Sequence, residues 1–251
     1  MTPIGQDTLL LVIIVFCRVA GCLMAMPGIS SSRVPMQIRL FFAVAATLAL
    51  APMLSQVVRD AMPDLSPTRV LVAIASETGI GLLMGITARI FFAALTFIGT
   101  AITMFIGFGG TPDTVVEETE PAPALATMIT LTATVLFFVG DLHTEVLKAL
   151  IETYIVIPAG SAFPVDMSMR RLATSLTDSF MLVLQISGPF LAWSLVVNLL
   201  FGLLNKLTPQ VPVFFISMPF VIAGGLVLAY FSVGEVLRIF INGLSYWLWR
   251  G

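Results

Sequence analysis

The sequence predicts an all-α protein of the membrane class, with about six apolar helical segments, several of them kinked or hairpin-like, that assembles with partner subunits. Composition is the first observation: of 251 residues, 58% are hydrophobic and 10% are charged, whereas soluble domains carry about 25% charged residues. The second is that long apolar runs recur along the whole chain, separated by proline, glycine and charged residues.

Charge and cysteine content narrow the possible classes. The net charge is −2 and no basic cluster is present, so no nucleic-acid partner is expected. Cys17 and Cys22 lie about 140° apart around a helix, which favours two buried thiols over a disulfide. The N-terminal run contains Arg18 and has no basic region before it, so we interpret it as a retained first helix and not as a signal peptide.

Two apolar segments open the chain, at residues 9–26 and 38–54. Pro27 and Gly28 end the first segment, and a polar stretch that contains Pro63 follows the second. Both segments have about the length that a membrane-spanning helix needs, and we predict them as the first two helices.

The third apolar run, residues 70–106, contains no proline and is unusually long. A single helix of this length would extend about 55 Å, while the hydrocarbon core of a bilayer is about 30 Å thick. Two structures therefore remain open: a helical hairpin that bends near Gly79, Gly81 and Gly85, or one long tilted helix.

Residues 107–123 differ in character from the apolar runs on either side. They combine glycines and prolines with four acidic residues and contain no lysine or arginine, which is typical of a solvated loop. The residues of interest are Gly107, Phe108, Gly109, Gly110, Thr111, Pro112, Asp113, Glu117, Glu118 and Glu120. This loop divides the predicted single domain, 1–251, into N-terminal helices (1–106) and C-terminal helices (124–251).

The C-terminal half holds three further apolar runs, at 124–140, 180–204 and 211–233. The second is preceded by a predicted loop to about residue 171 and should be kinked at Gly188-Pro189. Polar stripes at helical spacing follow the first and third runs. They consist of Asp141, Glu145, Lys148 and Glu152, and of Glu235, Arg238, Asn242 and Ser245.

Three charged residues lie within apolar runs: Arg18, Glu77 and Arg89. Such groups are costly in lipid and usually face a bundle interior or a water-filled cavity. Glu77 and Arg89 are about 18 Å apart along one helix, so they do not pair with each other within it. Contact with a neighbouring helix or subunit is the favoured interpretation, and an ion pathway is the alternative.

Small residues recur at four-residue spacing, at Gly81 and Gly85 and again at Gly99, Thr103 and Gly107. This pattern lets helix backbones approach closely, so we predict Gly81 and Gly85 as helix or subunit contacts. Catalytic motifs are lacking, and the single histidine excludes a histidine-rich metal site, so neither an enzyme nor a cofactor or metal is expected.

Three groups of residues together resemble one family. The first is Pro27-Gly28, Arg33-Val34-Pro35 and Ile38-Arg39; the second is Asp141-Leu142-His143 and Ile157-Pro158-Ala159-Gly160; the third is Asn205-Lys206, Pro209-Gln210 and Met218-Pro219. Their order and spacing are similar to those of the FliR/SctT family of export-gate subunits in type III secretion. The chain departs from the family pattern at Pro212, where asparagine is usual.

The resemblance implies a non-enzymatic gate subunit at the flagellar basal body in the bacterial inner membrane. The partners that it implies are FliP-like, FliQ-like and FlhB-like subunits, with unfolded proteins as substrates. It also implies that residues 107–123 plug the closed pore. Pro209 and Gln210, in the third matched group, are predicted as helix or subunit contacts. The alternatives are the equivalent subunit of a virulence system and a stand-alone ion-coupled transporter or channel.

Overall fold

The computed structural model describes residues 4–30, 34–107, 124–208, 210 and 213–250. These residues form α-helices without any β-strand, which confirms the predicted all-α class. The helices are α1 (Ile4–Ala25), α2 (Met36–Ala61), α3 (Pro67–Phe105), α4 (Ala124–Val139), α5 (Leu142–Val156), α6 (Val165–Leu207) and α7 (Val213–Arg250).

Within the described residues, 5 helices are long and apolar enough to cross a membrane, and a bent pair raises the number to 6. The pair is Leu125–Val139 and Leu142–Val156, whose axes differ by 66°. Asp141, at the break, has a φ of 55°, which is unusual for a residue other than glycine. The count of about six apolar segments is therefore confirmed, and the break lies at the end of the fourth segment, where α4 meets α5.

Helix α3 settles the question that the sequence left open for residues 70–106. It is a single helix of 39 residues, so the hairpin does not form. Glycine weakens a helix by only about 1 kcal/mol relative to alanine, which a tight contact can offset. The glycines of α3 support such contacts, as described below, and they do not mark a bend.

Helix α6 begins earlier than the sequence predicted. Residues 165–171 are helical, so the predicted loop to about residue 171 is wrong. Asp166 lies in the first turn, where a carboxylate interacts favourably with the helix dipole. The helix continues across Pro189, and prolines also lie inside α2 and α7, at Pro52 and Pro219.

The chain forms two compact units. The first contains α1, α2, α3 up to Phe91, α5, the start of α6 up to Leu176, and the end of α7 from Ser245. The second contains the remainder of α3, most of α4, and the larger parts of α6 and α7.

Each unit has its own apolar core. In the first, α2 packs through a narrow stripe of buried residues: Ala43, Thr47, Ala51, Leu54 and Val58. In the second, the ring of Phe92 meets those of Phe137 and Phe240 edge to face, at centroid distances of 5.8 and 5.3 Å. Edge-to-face pairs stabilise a core beyond their apolar area.

Candidate functional site

A buried ion pair joins α1 to α3 in the first unit. The side chains of Arg18 and Glu77 are both 0% exposed. Arg18 donates from Nε to Oε2 of Glu77 and from Nη2 to Oε1, the latter at 2.9 Å. Two parallel bonds between a guanidinium and a carboxylate are a strong and directional arrangement. The structure thus places two of the three charged residues singled out in apolar runs against each other.

The end of α5 and the residues after it complete the surroundings of this pair. Arg18 Nη1 donates to Oγ1 of Thr153 at 3.0 Å, and Nη2 donates to the carbonyl oxygen of Ile157 at 3.1 Å. The backbone N–H of Gly160 donates to Oε1 of Glu77 at 3.3 Å. The ring of Tyr154 lies 3.8 Å from Cζ of Arg18, a cation–π distance. Both charges are therefore neutralised and extensively hydrogen-bonded inside an apolar bundle.

Glycines bring the backbones of α1 and α3 close enough for this pairing. A Cβ atom at Gly81 would overlap the carbonyl oxygen of Arg18, and one at Gly85 would lie 2.5 Å from that of Cys22. A Cβ atom at Gly21 would lie 2.8 Å from the carbonyl oxygen of Thr78. Side chains on these glycines would force the helices apart, so the close contact and the ion pair belong to one interface.

The remaining predicted contact residues do not join this cluster. Arg89 is exposed, and none of the ion pairs within the described part of the chain includes it. Gln210 is also exposed, and Pro209 lies outside the described residues. Sequence reasoning did not assign Gly21 or Thr153 to this contact, and it singled out Ile157-Pro158-Ala159-Gly160 as a motif without assigning its backbone a role. The spacing of Arg18, Gly21, Cys22 and Ala25 along α1 is the signal that could have found Gly21.

The second unit also contains a close contact, between α3 and α4. A Cβ atom at Gly99 would lie 2.7 Å from Cα of Ala126. One turn away, the hydroxyl groups of Thr96 and Thr130 are 3.4 Å apart. Small side chains therefore let α3 and α4, which precede and follow residues 107–123 in the sequence, pack side by side.

Gly107 follows the end of α3 and is the first residue of the predicted plug loop. Its φ is +85°, a left-handed conformation that glycine adopts without strain, and its N–H bonds to the carbonyl oxygen of Met104 at 3.1 Å. The other loop residues singled out in the sequence lie outside the described residues: Phe108, Gly109, Gly110, Thr111, Pro112, Asp113, Glu117, Glu118 and Glu120. The plug therefore stays a prediction.

In the two polar stripes, the described side chains are exposed except that of Glu145, which is half-buried, and some of them pair with one another. Lys148 Nζ lies 2.7 Å from Oε1 of Glu145, and Arg238 Nη1 lies 3.9 Å from Oε2 of Glu235. Exposed pairs of this kind contribute little to stability. Among the residues that the structure describes, no group of three or more histidine, cysteine, aspartate or glutamate side chains could hold a metal ion.

Comparison with known proteins identifies the family. Residues 9–246 match the family described as bacterial export proteins, family 1. The flagellar biosynthetic protein FliR of Caulobacter vibrioides is 30% identical over 229 residues, which cover 91% of this chain and 90% of that protein. FliR of Escherichia coli K12 is 26% identical over 209 residues (83% and 78%), and FliR of Bacillus subtilis is 24% identical over 238 residues (93% and 90%). The chain belongs to family 1 of the bacterial export proteins, the family of the flagellar biosynthetic protein FliR.

Proposed function

We propose that the chain is a subunit of the flagellar protein export apparatus in the bacterial inner membrane. Its role is to help form and seal the channel through which unfolded flagellar substrates cross that membrane. This role is structural and requires no catalysis, cofactor or metal. Support comes from the family match over residues 9–246 and from relatives that are all named flagellar biosynthetic proteins.

The observation that carries the proposal is the nature of the exposed helix surface. The candidate span in α7 is only 11% buried and that in α6 only 33%. Polar and charged side chains are exposed between the apolar ones on α6, at Asp178, Gln185 and Asn198, and on α3, at Arg89. Such groups are costly against lipid and favourable against protein or water. We therefore assign these faces to FliP-like, FliQ-like and FlhB-like partners or to the channel.

The buried pair weighs against the alternative of an ion-coupled transporter. A coupling acid has to exchange protons or ions with a wet pathway. The carboxylate of Glu77 is fully buried, and Arg18 and the N–H of Gly160 hold it. This arrangement is suited to holding helices together.

The first test is purification of the tagged chain with and without its candidate partners. We expect a stable particle only when FliP-like and FliQ-like subunits are produced with it, because the exposed faces need protein contacts. Deleting its gene should also abolish flagellar assembly in the source bacterium. A stable monomer with full helix content that transports ions in liposomes would contradict the proposal. Intact flagella after the deletion would favour a virulence system.

The second test concerns the seal. Deleting residues 111–120 should leave the complex assembled but leaky to small ions, because the deletion removes most of the predicted plug. The measurement is conductance across membranes that carry the intact or the shortened protein. As a control, a full-length variant in which Asp113, Glu117, Glu118 and Glu120 are replaced by their amides should stay closed, since it keeps the bulk of the loop. An assembled complex that remains tight after the deletion would place the seal elsewhere.

A further inference from the structure

The segment between α5 and α6, residues 157–164, contains no helix and is here named the α5–α6 connector. The N–H of Ile157 still bonds to the carbonyl oxygen of Thr153 and the N–H of Ser161 bonds to that of Pro158. Connector groups outside such backbone bonds need other partners, since an unpaired buried N–H or C=O is costly. Ile157 and Ala159 are buried, at 6% and 3% exposure, whereas Ala162 is exposed. The connector is therefore buried in the bundle at Ile157 and Ala159 and exposed at Ala162.

Three side chains from α1 and α3 supply partners for this backbone. Arg18 donates to the carbonyl oxygen of Ile157, and the carboxylate of Glu77 accepts from the N–H of Gly160. Ser76 donates from Oγ to the carbonyl oxygen of Ser161 at 2.7 Å. The two members of the buried ion pair thus bind each other and the connector simultaneously.

Two glycines let the connector pack closely, Gly160 within it and Gly79 on the face of α3 that it contacts. Gly160 has a φ of +73°, and a Cβ atom there would lie 2.6 Å from Sδ of Met62, at the end of α2. A Cβ atom at Gly79 would lie 3.1 Å from the ring of Phe163. The connector fits its site through shape as well as through hydrogen bonds.

We propose that the Arg18–Glu77 pair is a latch that recognises the α5–α6 connector and fixes the end of α5 and the start of α6 against α1 and α3. Replacing a buried ion pair by apolar residues of similar volume is often neutral or stabilising, so stability alone is a weak reason for such a pair. The connector supplies a stronger reason for the pair. The carbonyl of Ile157 needs a hydrogen-bond donor at this position, and the N–H of Gly160 needs an acceptor. The inference does not depend on the proposed function.

Cysteine labelling of the full-length chain in membranes tests the latch. All variants carry Cys17→Ala, so that the one native cysteine left is Cys22, which is 1% exposed and reports the core. Ala159→Cys then reports the enclosed part of the connector, and Ala162→Cys reports its exposed part. In the double variant Arg18→Met/Glu77→Leu, we expect maleimide labelling at position 159 to accelerate about tenfold or more, since the connector opens locally. Labelling at 162 and at Cys22 should change little.

Ser76→Ala gives a milder version of the test that leaves the ion pair in place. It should speed labelling at position 159 a few-fold, whereas Thr78→Ala, which removes a hydroxyl that donates to the carbonyl oxygen of Ile74 within α3, should not. Unchanged protection at 159 in both Ser76→Ala and the double variant would overturn the proposal. An equal rise at 159 and Cys22 would also overturn it, because the pair would then stabilise the whole bundle and not the connector.

Discussion

Replacing Glu77 by alanine is expected to destabilise the first unit by about 3–5 kcal/mol, because the substitution leaves Arg18 buried and unpaired. The guanidinium is 0% exposed and would keep only Thr153, Ile157 and the ring of Tyr154 around it. Arg18→Ala should have an effect of the same size, since it leaves the carboxylate of Glu77 buried and without its cation. The double variant Arg18→Met/Glu77→Leu should be less destabilised than either single variant. Thermal unfolding of the assembled complex in detergent measures all three.

The matched control is the exposed pair of α5. Glu145→Ala removes a carboxylate that lies 2.7 Å from Nζ of Lys148, where the lysine side chain is 63% exposed. Its effect should stay within about 0.5 kcal/mol. If Glu77→Ala unfolded no earlier than Glu145→Ala, the buried pair would have no special place in the stability of the fold.

Placing a side chain on Gly81 should prevent the complex from assembling while the chain still reaches the membrane. Even alanine would put its Cβ against the backbone carbonyl of Arg18, and a backbone atom cannot rotate away as a side chain can. Helices α1 and α3 would then separate and the ion pair would stretch, at a cost of at least about 3 kcal/mol. Gly81→Leu should be worse than Gly81→Ala. The measurements are complex yield and the membrane-bound fraction of the chain.

Two glycines in open positions are the controls for this prediction. A Cβ atom at Gly202 in α6 or at Gly234 in α7 would meet nothing within 4 Å. Because alanine favours a helix by up to about 1 kcal/mol over glycine, Gly202→Ala and Gly234→Ala should leave the isolated fold unchanged or slightly stabilised. Normal complex yield from Gly81→Leu would show that α1 and α3 do not need to approach this closely.

The sequence was sufficient for the number and approximate position of the apolar helices, because a membrane-spanning segment can satisfy its own backbone groups only as a helix or in a closed barrel. It did not predict that α6 begins at Val165. It was insufficient for α3, since glycines at 79, 81 and 85 are compatible with a bend and with a close contact. It also could not pair Arg18 with Glu77, which are separated by 59 positions along the chain. That pairing depends on how α1 and α3 are rotated about their axes, and on a connector whose backbone groups supply hydrogen bonds to the pair.

The unequal burial of the helices has a thermodynamic consequence. The candidate spans in α1 and α3 are 50% and 56% buried within the chain, against 11% for the span in α7. Burial within one chain gives stability that is independent of concentration, whereas burial between chains follows mass action. We therefore expect the helices to depend on two equilibria: α1 and α3 on the fold of the chain itself, and α7, apart from core contacts such as Phe240 with Phe92, on the binding of partner subunits. A shortage of partner subunits should loosen α7 first, while the Arg18–Glu77 interface remains intact.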